Sequence, residues 1–380
     1  MLGVKLYAKY VTTRQQNGED LIKIVKNKID LWKTGKFVPL TSRPWSLNTY
    51  ILSKIWYRTS SIDSKEGDCK RILSLCKSWL YQNNLVKPTE ILIFRNILEG
   101  GLGMFNISAK AKANLIVSFL QTAVEGDYTT FPYHAALFEY FVEKKKTKSI
   151  INPPYYSQSF FQTISSAIEE DSSAIHWKTK DWYTHLIKKN YTHYWDQMEQ
   201  KMMLIPSRIE IIYPQFDHNF AAAFIRQPNL TPRIRSYLFM MKNDLLPTKE
   251  RLFRLKKVNN SNCDICNCQD GHGHFLICPG LTSVTYQIIS VIRKCSPAVS
   301  VENIVNCDVK CEGLSSFCIA WLLGSMTSFI WENKLQILTK IDLYQYKLKS
   351  ELKTLALIPS LQDKYLKIVS DLRENTNFNL

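Results

Sequence analysis

What this 380-residue chain lacks narrows it first. It has no Asp-Asp pair, no His-Glu-x-x-His, no Gly-x-Ser-x-Gly and no glycine loop ending in Lys-Ser or Lys-Thr. Two-metal polymerase chemistry, zinc-protease chemistry, nucleophile-elbow hydrolysis and nucleotide cradling depend on those patterns, so the sequence offers them no site. Its acidic run, Glu169 to Asp171, has no strand-turn-strand frame around it and reads as a solvated helix start. Long apolar runs are missing too. The longest, CIAWLLGSMTSFIW over 318–331, is shorter than a membrane span and carries Ser and Thr, so it reads as a buried helix in a soluble protein with no membrane partner. The opening MLGVKLYAKYV is too short for a signal peptide, and a lysine breaks its apolar run. No fixed-period repeat or low-complexity tract is present. Acidic residues are scarce: 33 Asp and Glu stand against 49 Lys and Arg, a formal net charge of +16.

That imbalance points to an anionic partner, nucleic acid before a membrane surface. Nineteen Tyr, eighteen Phe and nine Trp add to the same reading, because rings between cations can stack on bases, although most of them belong in a core. Hydrophobic residues make up 45% of the chain, enough for two or three packed domains rather than disorder. Ten cysteines at irregular spacing suit a reducing compartment, intracellular and either nuclear or cytoplasmic, better than a secreted disulfide scaffold.

Four of those cysteines gather in one stretch, CDICNCQDGHGHFLIC over 263–278. Cys263 and Cys266 are separated by two residues, which lets both thiolates face inward from one tight turn. His274 and Cys278 are spaced i, i+4 and can share a helix face. Two close pairs of soft ligands are what a tetrahedral zinc requires, and four protein ligands leave no open position, so one structural zinc is expected. Cys268 in place of Cys266, and His272 in place of His274, remain open on spacing alone.

The chain reads as mainly α. Residues 1–13 suggest a strand. Helices are expected over 19–36, over 46–58 with Ser46 as N-cap, over 67–82, and from near Ser108. Gly100, Gly101 and Gly103 break the chain before that last helix, and a tight turn needing positive φ explains them better than a phosphate cradle. The run EKKKTK from Glu143, followed by Pro153 and Pro154, marks a linker. Over 181–195 the chain is aromatic and helical, with His185 and His193 reading as packing or surface residues. Pro232 opens another helix and Thr248 caps the next. After Pro279 the remainder reads as helical, with an amphipathic stretch over 341–372. Positive charge is concentrated twice: eleven Lys and Arg against three acids over 1–58, and eight against two over 229–260, just before the cysteine stretch. Candidate phosphate contacts are Lys54, Arg58, Arg233, Arg235, Lys242, Lys249, Arg251, Arg254, Lys256 and Lys257.

Several motifs, in order, resemble the C-terminal part of a non-LTR (LINE-type) retrotransposon reverse transcriptase. LGVKLY over 2–7 is similar to the strand that closes the palm. PLTSRPWSLNTYILSKIWY over 39–57 resembles a thumb helix. EGGLGMFNI over 99–107 looks like the family's GGLGLPDI turn. LLPTKERL over 245–252 is similar to the LPTRERL lead-in to its zinc-binding region, and WENK over 331–334 resembles a downstream IWKARN element. The likeness covers about 1–120 and 229–335. One departure is that three residues, rather than the usual four, separate His274 from Cys278. The resemblance implies a thumb-like helical region over 1–145, a connection over 146–228, a basic helix with zinc knuckle over 229–290 and C-terminal helices over 291–380. It implies binding of RNA or DNA, and of the remainder of a reverse transcriptase, during target-primed reverse transcription. The family's Tyr-x-Asp-Asp palm hairpin would lie before Met1, so the chain reads as a fragment without the polymerase centre and not as an enzyme. A protein-interaction scaffold docking an acidic partner is the alternative.

Overall fold

The computed structural model describes residues 10–33, 38–82, 86–125, 132–143, 156, 158–189, 218–227, 230–295, 298–309 and 316–336, with positions 343, 346, 347 and 350. Among these the chain is mainly α-helical with no strand, and its one β-bridge joins Asn262 to Gln269. No described helix is long and apolar enough to cross a membrane. Contacts divide the chain into two compact units: 1–38, 43–82 and 103–205 form the first, and 39–42, 83–102 and 206–380 form the second.

In the first unit, the helix Tyr10–Lys33 packs along the helix Glu66–Leu80. Leu21, Val25 and Ile29 recur every four residues on one helix, and Cys69, Ile72, Cys76 and Trp79 do much the same on the other; all are buried. Removing each large side chain from water contributes about 1.5–3 kcal/mol. Burial pushes the Cys69 and Cys76 thiols up to about 12, so they behave as apolar packing groups. The helix Glu66–Leu80 ends on Arg43, which is 3% exposed. Its guanidinium donates to the carbonyls of Leu80 (2.7 Å), Gln82 (2.8 Å) and Val38 (2.8 Å). A buried cation is tolerated because the Leu80 and Gln82 carbonyls are unmatched acceptors at a helix C-terminus and Val38 adds a third. Asn106 caps the helix Ile107–Leu120 by accepting the Ala109 N–H at 3.0 Å. Further along, Phe119 stands edge-on to His134, Tyr156, Phe160 and Phe161 at 5.1–5.8 Å between centroids. His185 packs among Trp177 and Trp182, a packing role as expected.

In the second unit, the helix Pro232–Lys242 crosses the helix Ser316–Asn333. Thr231 accepts the Ile234 N–H and Pro232 takes the first turn, where its missing donor costs nothing. The crossing is close: a Cβ on Gly324 would stand 2.4 Å from Ile234 Cγ2. Tyr237 donates its hydroxyl to the Thr327 carbonyl at 3.1 Å, so this buried hydroxyl is matched. The 318–331 run lies inside this helix, with Ile319, Ala320, Leu323, Met326 and Ile330 buried. Gly100 ends the short turn Ile97–Glu99 at φ 83, as a tight turn demands.

Several local expectations need correction. Residues 10–13 begin the helix Tyr10–Lys33 rather than end a strand; 1–9 lie outside the described residues. Ser46 is buried in αR geometry and caps nothing, because helical backbone already starts at Arg43. Glu169 and Glu170 end the helix Gln158–Glu170 rather than start one, and Asp171 caps the following turn through the Ser173 N–H. His193, the lysines at 144–148, Pro153, Pro154 and nearly all of 341–372 fall outside the described residues.

Candidate metal centre

The stretch from Ser261 to Thr282 folds around four side chains. Its first turn closes when the Cys263 N–H donates to the Cys268 carbonyl (2.7 Å) and the Asn267 N–H returns to the Cys263 carbonyl (3.0 Å). Asn267 sits at φ 60, a left-handed position that Asn tolerates better than most residues. Inside the turn, the Ile265 N–H points at Cys263 Sγ and the Cys268 N–H at Cys266 Sγ, each at 3.5 Å. The Gly280 N–H does the same for Cys278. Backbone donors aimed at sulfur favour the thiolate. Gly280 also lets the two turns close on each other, since a Cβ there would meet Ile265 Cγ2 at 2.3 Å.

Cys263 Sγ lies 3.9 Å from Cys278 Sγ, and Cys266 Sγ lies 3.2 Å from His274 Nε2. The four ligand atoms all fall within 4.8 Å of one another. Bonds of about 2.3 Å to sulfur and 2.0 Å to nitrogen put tetrahedral ligand atoms about 3.5–3.8 Å apart, so the set fits a single ion. This cluster can hold a metal ion. Cys263, His274 and Cys278 are buried and Cys266 is half-buried. The two open alternatives fall away. Cys268 is exposed, and His272 Nδ1 stands 3.2 Å from Asp244 Oδ1 instead of facing the cysteines. The second pair does not share a helix face, however. His274 opens the short helix His274–Ile277, and Cys278 terminates it with extended geometry, φ −61 and ψ 121.

Electrostatics differ between the ligands. Burial pushes the Cys278 thiol up to about 12, with Cys266 adding to the shift. Burial also acts to raise Cys266, but the Cys268 N–H and the neighbouring thiols outweigh it and hold this thiol below its ordinary value. Burial lowers His274, against an opposing pull from Asp270, which leaves a neutral imidazole ready to coordinate. Such a group binds a cation by releasing protons.

Around these four lies a frame that sequence reading missed. Asp270 is 1% exposed. Its carboxylate accepts the Lys249 N–H at 2.9 Å and faces Lys334 Nζ at 3.3 Å, and its carbonyl accepts the Glu250 N–H at 3.2 Å. Thr248 takes the Arg251 N–H, as expected, so the start of the helix Lys249–Arg254 is fully matched. Lys249 Nζ pairs with Asp264 inside the cysteine turn. Phe275 stands edge-on to Trp331 at 5.5 Å, and Lys334 lies 4.6 Å over the Trp331 ring. The WENK element therefore braces the cluster. Acidic residues of this kind carry no spacing signal; only the donors they meet in space identify them.

The candidate phosphate contacts divide. Lys54 is exposed and Arg58 half-buried; both belong to the first unit, where Arg58 lines a cleft with Arg14 and Asp63. In the second unit Arg233 is exposed but grips both oxygens of Glu332 at 2.7 Å. Arg235 donates to the carbonyls of Gln227 and Leu230. Lys242 is half-buried, and burial holds its ammonium below the ordinary lysine range. Arg251 pairs with Asp244 at 2.7 Å. Burial acts to raise the Asp244 carboxyl, but His272, Arg251 and Arg254 outweigh it and hold it below its usual value. Arg254, Lys256 and Lys257 are exposed at the end of the helix Lys249–Arg254. Arg233, Arg235, Lys249, Arg251 and Arg254 thus all have partners within the protein, Arg254 lying 3.9 Å from both Asp244 and Glu250. Compared with family models, with curated proteins and with solved structures, the chain matches none.

Proposed function

We propose that this chain is a nucleic-acid-binding part of a non-LTR retrotransposon reverse transcriptase, holding template RNA or target DNA. In this reading Cys263, Cys266, His274 and Cys278 hold one structural zinc. A set of three thiolates and one imidazole suits zinc among the common divalent ions, and four protein ligands leave no position for substrate. When bound, the metal supplies cross-linking of the turn to the short helix that follows. The chain's own residues do the rest: Asp270, Lys249 and Lys334 fix the turn to the flanking helices, and Arg254, Lys256 and Lys257 offer charge to phosphates. The helices of 1–145 take the role of a thumb-like region, and 39–57 carries the sequence likeness for it.

The observation that carries this reading is the convergence of four ligand atoms within 4.8 Å directly after the most basic part of the second unit. The test has two arms. Elemental analysis of purified protein is expected to give one zinc per chain. Titrations of RNA and DNA are expected to lose affinity steeply with salt, because each neutralised phosphate releases counterions. Binding that ignores salt, or no binding at low salt, overturns the nucleic-acid part.

A second reading has its own support. Phe253 and Leu255 are 47% and 48% exposed beside those three cations. A mixed apolar and basic tip suits docking of an acidic protein, or of the remainder of a polymerase, as well as it suits phosphate. Capture of a protein partner that survives nuclease treatment, and is lost in Phe253→Ser with Leu255→Ser, favours that scaffold role.

A further inference from the structure

We infer that the exposed side of 45–57 in the first unit is a stacking platform for single-stranded nucleic acid. The inference rests on the proposed nucleic-acid partner but not on the metal centre. The exposed residues along this helical segment are Trp45, Thr49, Tyr50, Ser53, Lys54 and Tyr57. Trp45 is 56% exposed, and Tyr50 and Tyr57 are each 47% exposed. The opposite side is core: Leu47, Ile51, Leu52 and Ile55 are fully buried. Rings turned outward while aliphatic side chains turn inward mark a surface with a use.

The rings are held in place. Tyr50 stacks on Trp32 at 5.5 Å with 28° between planes, and Trp45 stands edge-on to Tyr50 at 5.3 Å. Trp32 in turn stands edge-on to the buried Trp79 at 5.9 Å. A fixed ring loses little conformational freedom when a flat partner lands on it.

Chemistry selects the partner. The row contains three rings, two of them phenols, the hydroxyls of Thr49 and Ser53 and an ammonium, with no acid and no aliphatic side chain. Lys54 lies four residues after Tyr50 and three before Tyr57, so a cation sits between two rings on one face. The row also falls within 1–58, where eleven Lys and Arg face three acids. Rings interleaved with positive charge fit unpaired bases strung on a phosphate chain; a duplex keeps its base faces covered. An acidic or apolar protein surface would gain less from the two hydroxyls and the flat rings.

The experiment uses the full chain, with labelled oligo(dT), oligo(rU) and a blunt DNA duplex as probes. Trp45→Ala and Tyr50→Ala are each expected to weaken both single strands by about 5- to 150-fold and to leave the duplex unchanged. Their salt slopes should match the parent, because no phosphate contact is lost, whereas Lys54→Ala should flatten the single-strand slope by about 0.7. Tyr57→Ala serves as the second variant, since Tyr57 can be lost without disturbing the Trp32–Tyr50 stack, and circular dichroism confirms that each variant folds. Parent-like single-strand binding in Trp45→Ala, Tyr50→Ala and Tyr57→Ala, or equal losses on the duplex, overturns the platform while leaving general nucleic-acid binding intact. A parent chain that binds no probe overturns both. Loss of a captured protein partner in these variants, with strand binding unaltered, would make the row a protein-docking face and also overturn the inference.

Discussion

Lys334 sets its ammonium 3.3 Å from the buried carboxylate of Asp270, across 64 residues of sequence. The same carboxylate receives the first free N–H of the helix Lys249–Arg254. One acid thus joins three segments: the helix before the cysteine turn, the turn itself, and the end of the long C-terminal helix.

Asp270→Ala should therefore destabilise the second unit by about 2–3 kcal/mol, since it strands a helix N–H and an ammonium together. Lys334→Met should cost less, because its ammonium is partly exposed and Asp270 keeps one donor. Urea unfolding of both variants checks the order; equal effects, or none, would remove Asp270 as the junction.

Metal content separates the ligands from their neighbours. Cys263→Ser with Cys278→Ser should lose the ion, and so should His274→Ala. Cys268→Ser and His272→Ala should keep it, because neither side chain supplies one of the four converging ligand atoms. Competition with a chromogenic chelator gives the affinities, and retention by the double cysteine variant would dismiss the site. Binding should also release protons, so affinity should drop as pH falls.

Arg43→Met should destabilise the first unit by about 3 kcal/mol or more. The substitution keeps the buried bulk but leaves the carbonyls of Leu80, Gln82 and Val38 without their shared donor. Arg43→Lys should recover only part of that loss, because one ammonium cannot reproduce the planar fork. Full stability in Arg43→Met would contradict the capping role.

Acid should weaken the first unit through its histidines. Burial lowers His134, whose Nε2 lies 3.1 Å from the Tyr156 hydroxyl, and burial also lowers His185 against the opposing pull of Glu170. A folded value below the unfolded one means that the unfolded chain binds more protons near pH 6. The stabilisation is complete above the unfolded value of about 6.5, falls as pH drops through it towards the lowered folded values, and then levels off. The slope is at most about 1.4 kcal/mol per pH unit for each histidine. Unfolding curves from pH 7.5 to 5 check the sign, and His134→Phe should flatten part of it.

Helices with strong punctuation were legible because their signals are local. Pro232 follows the cap Thr231, and Thr231 and Thr248 each accept an N–H three residues on. Ser46 misled because a capping residue looks the same whether or not helical backbone already precedes it. The first helix begins at Tyr10 rather than at 19; Gln15 and Gln16 are exposed, and the side chains buried there, Thr13 and Asn17, are polar, so this turn adds no apolar period to count.

By itself the sequence supplied the candidate ligands, two close pairs of sulfur and nitrogen donors within sixteen residues, and a formal charge of +16. Only the tertiary structure decided which members of each pair converge, because spacing favours Cys266 and His274 without fixing the direction in which each side chain points. It also decided which cations remain available. Arg251 and Lys249 look like Lys256 and Lys257 in the sequence, yet carboxylates from Asp244 and Asp264 have already taken the first two. Charge is a property of composition, whereas availability depends on what folding brings within three ångströms.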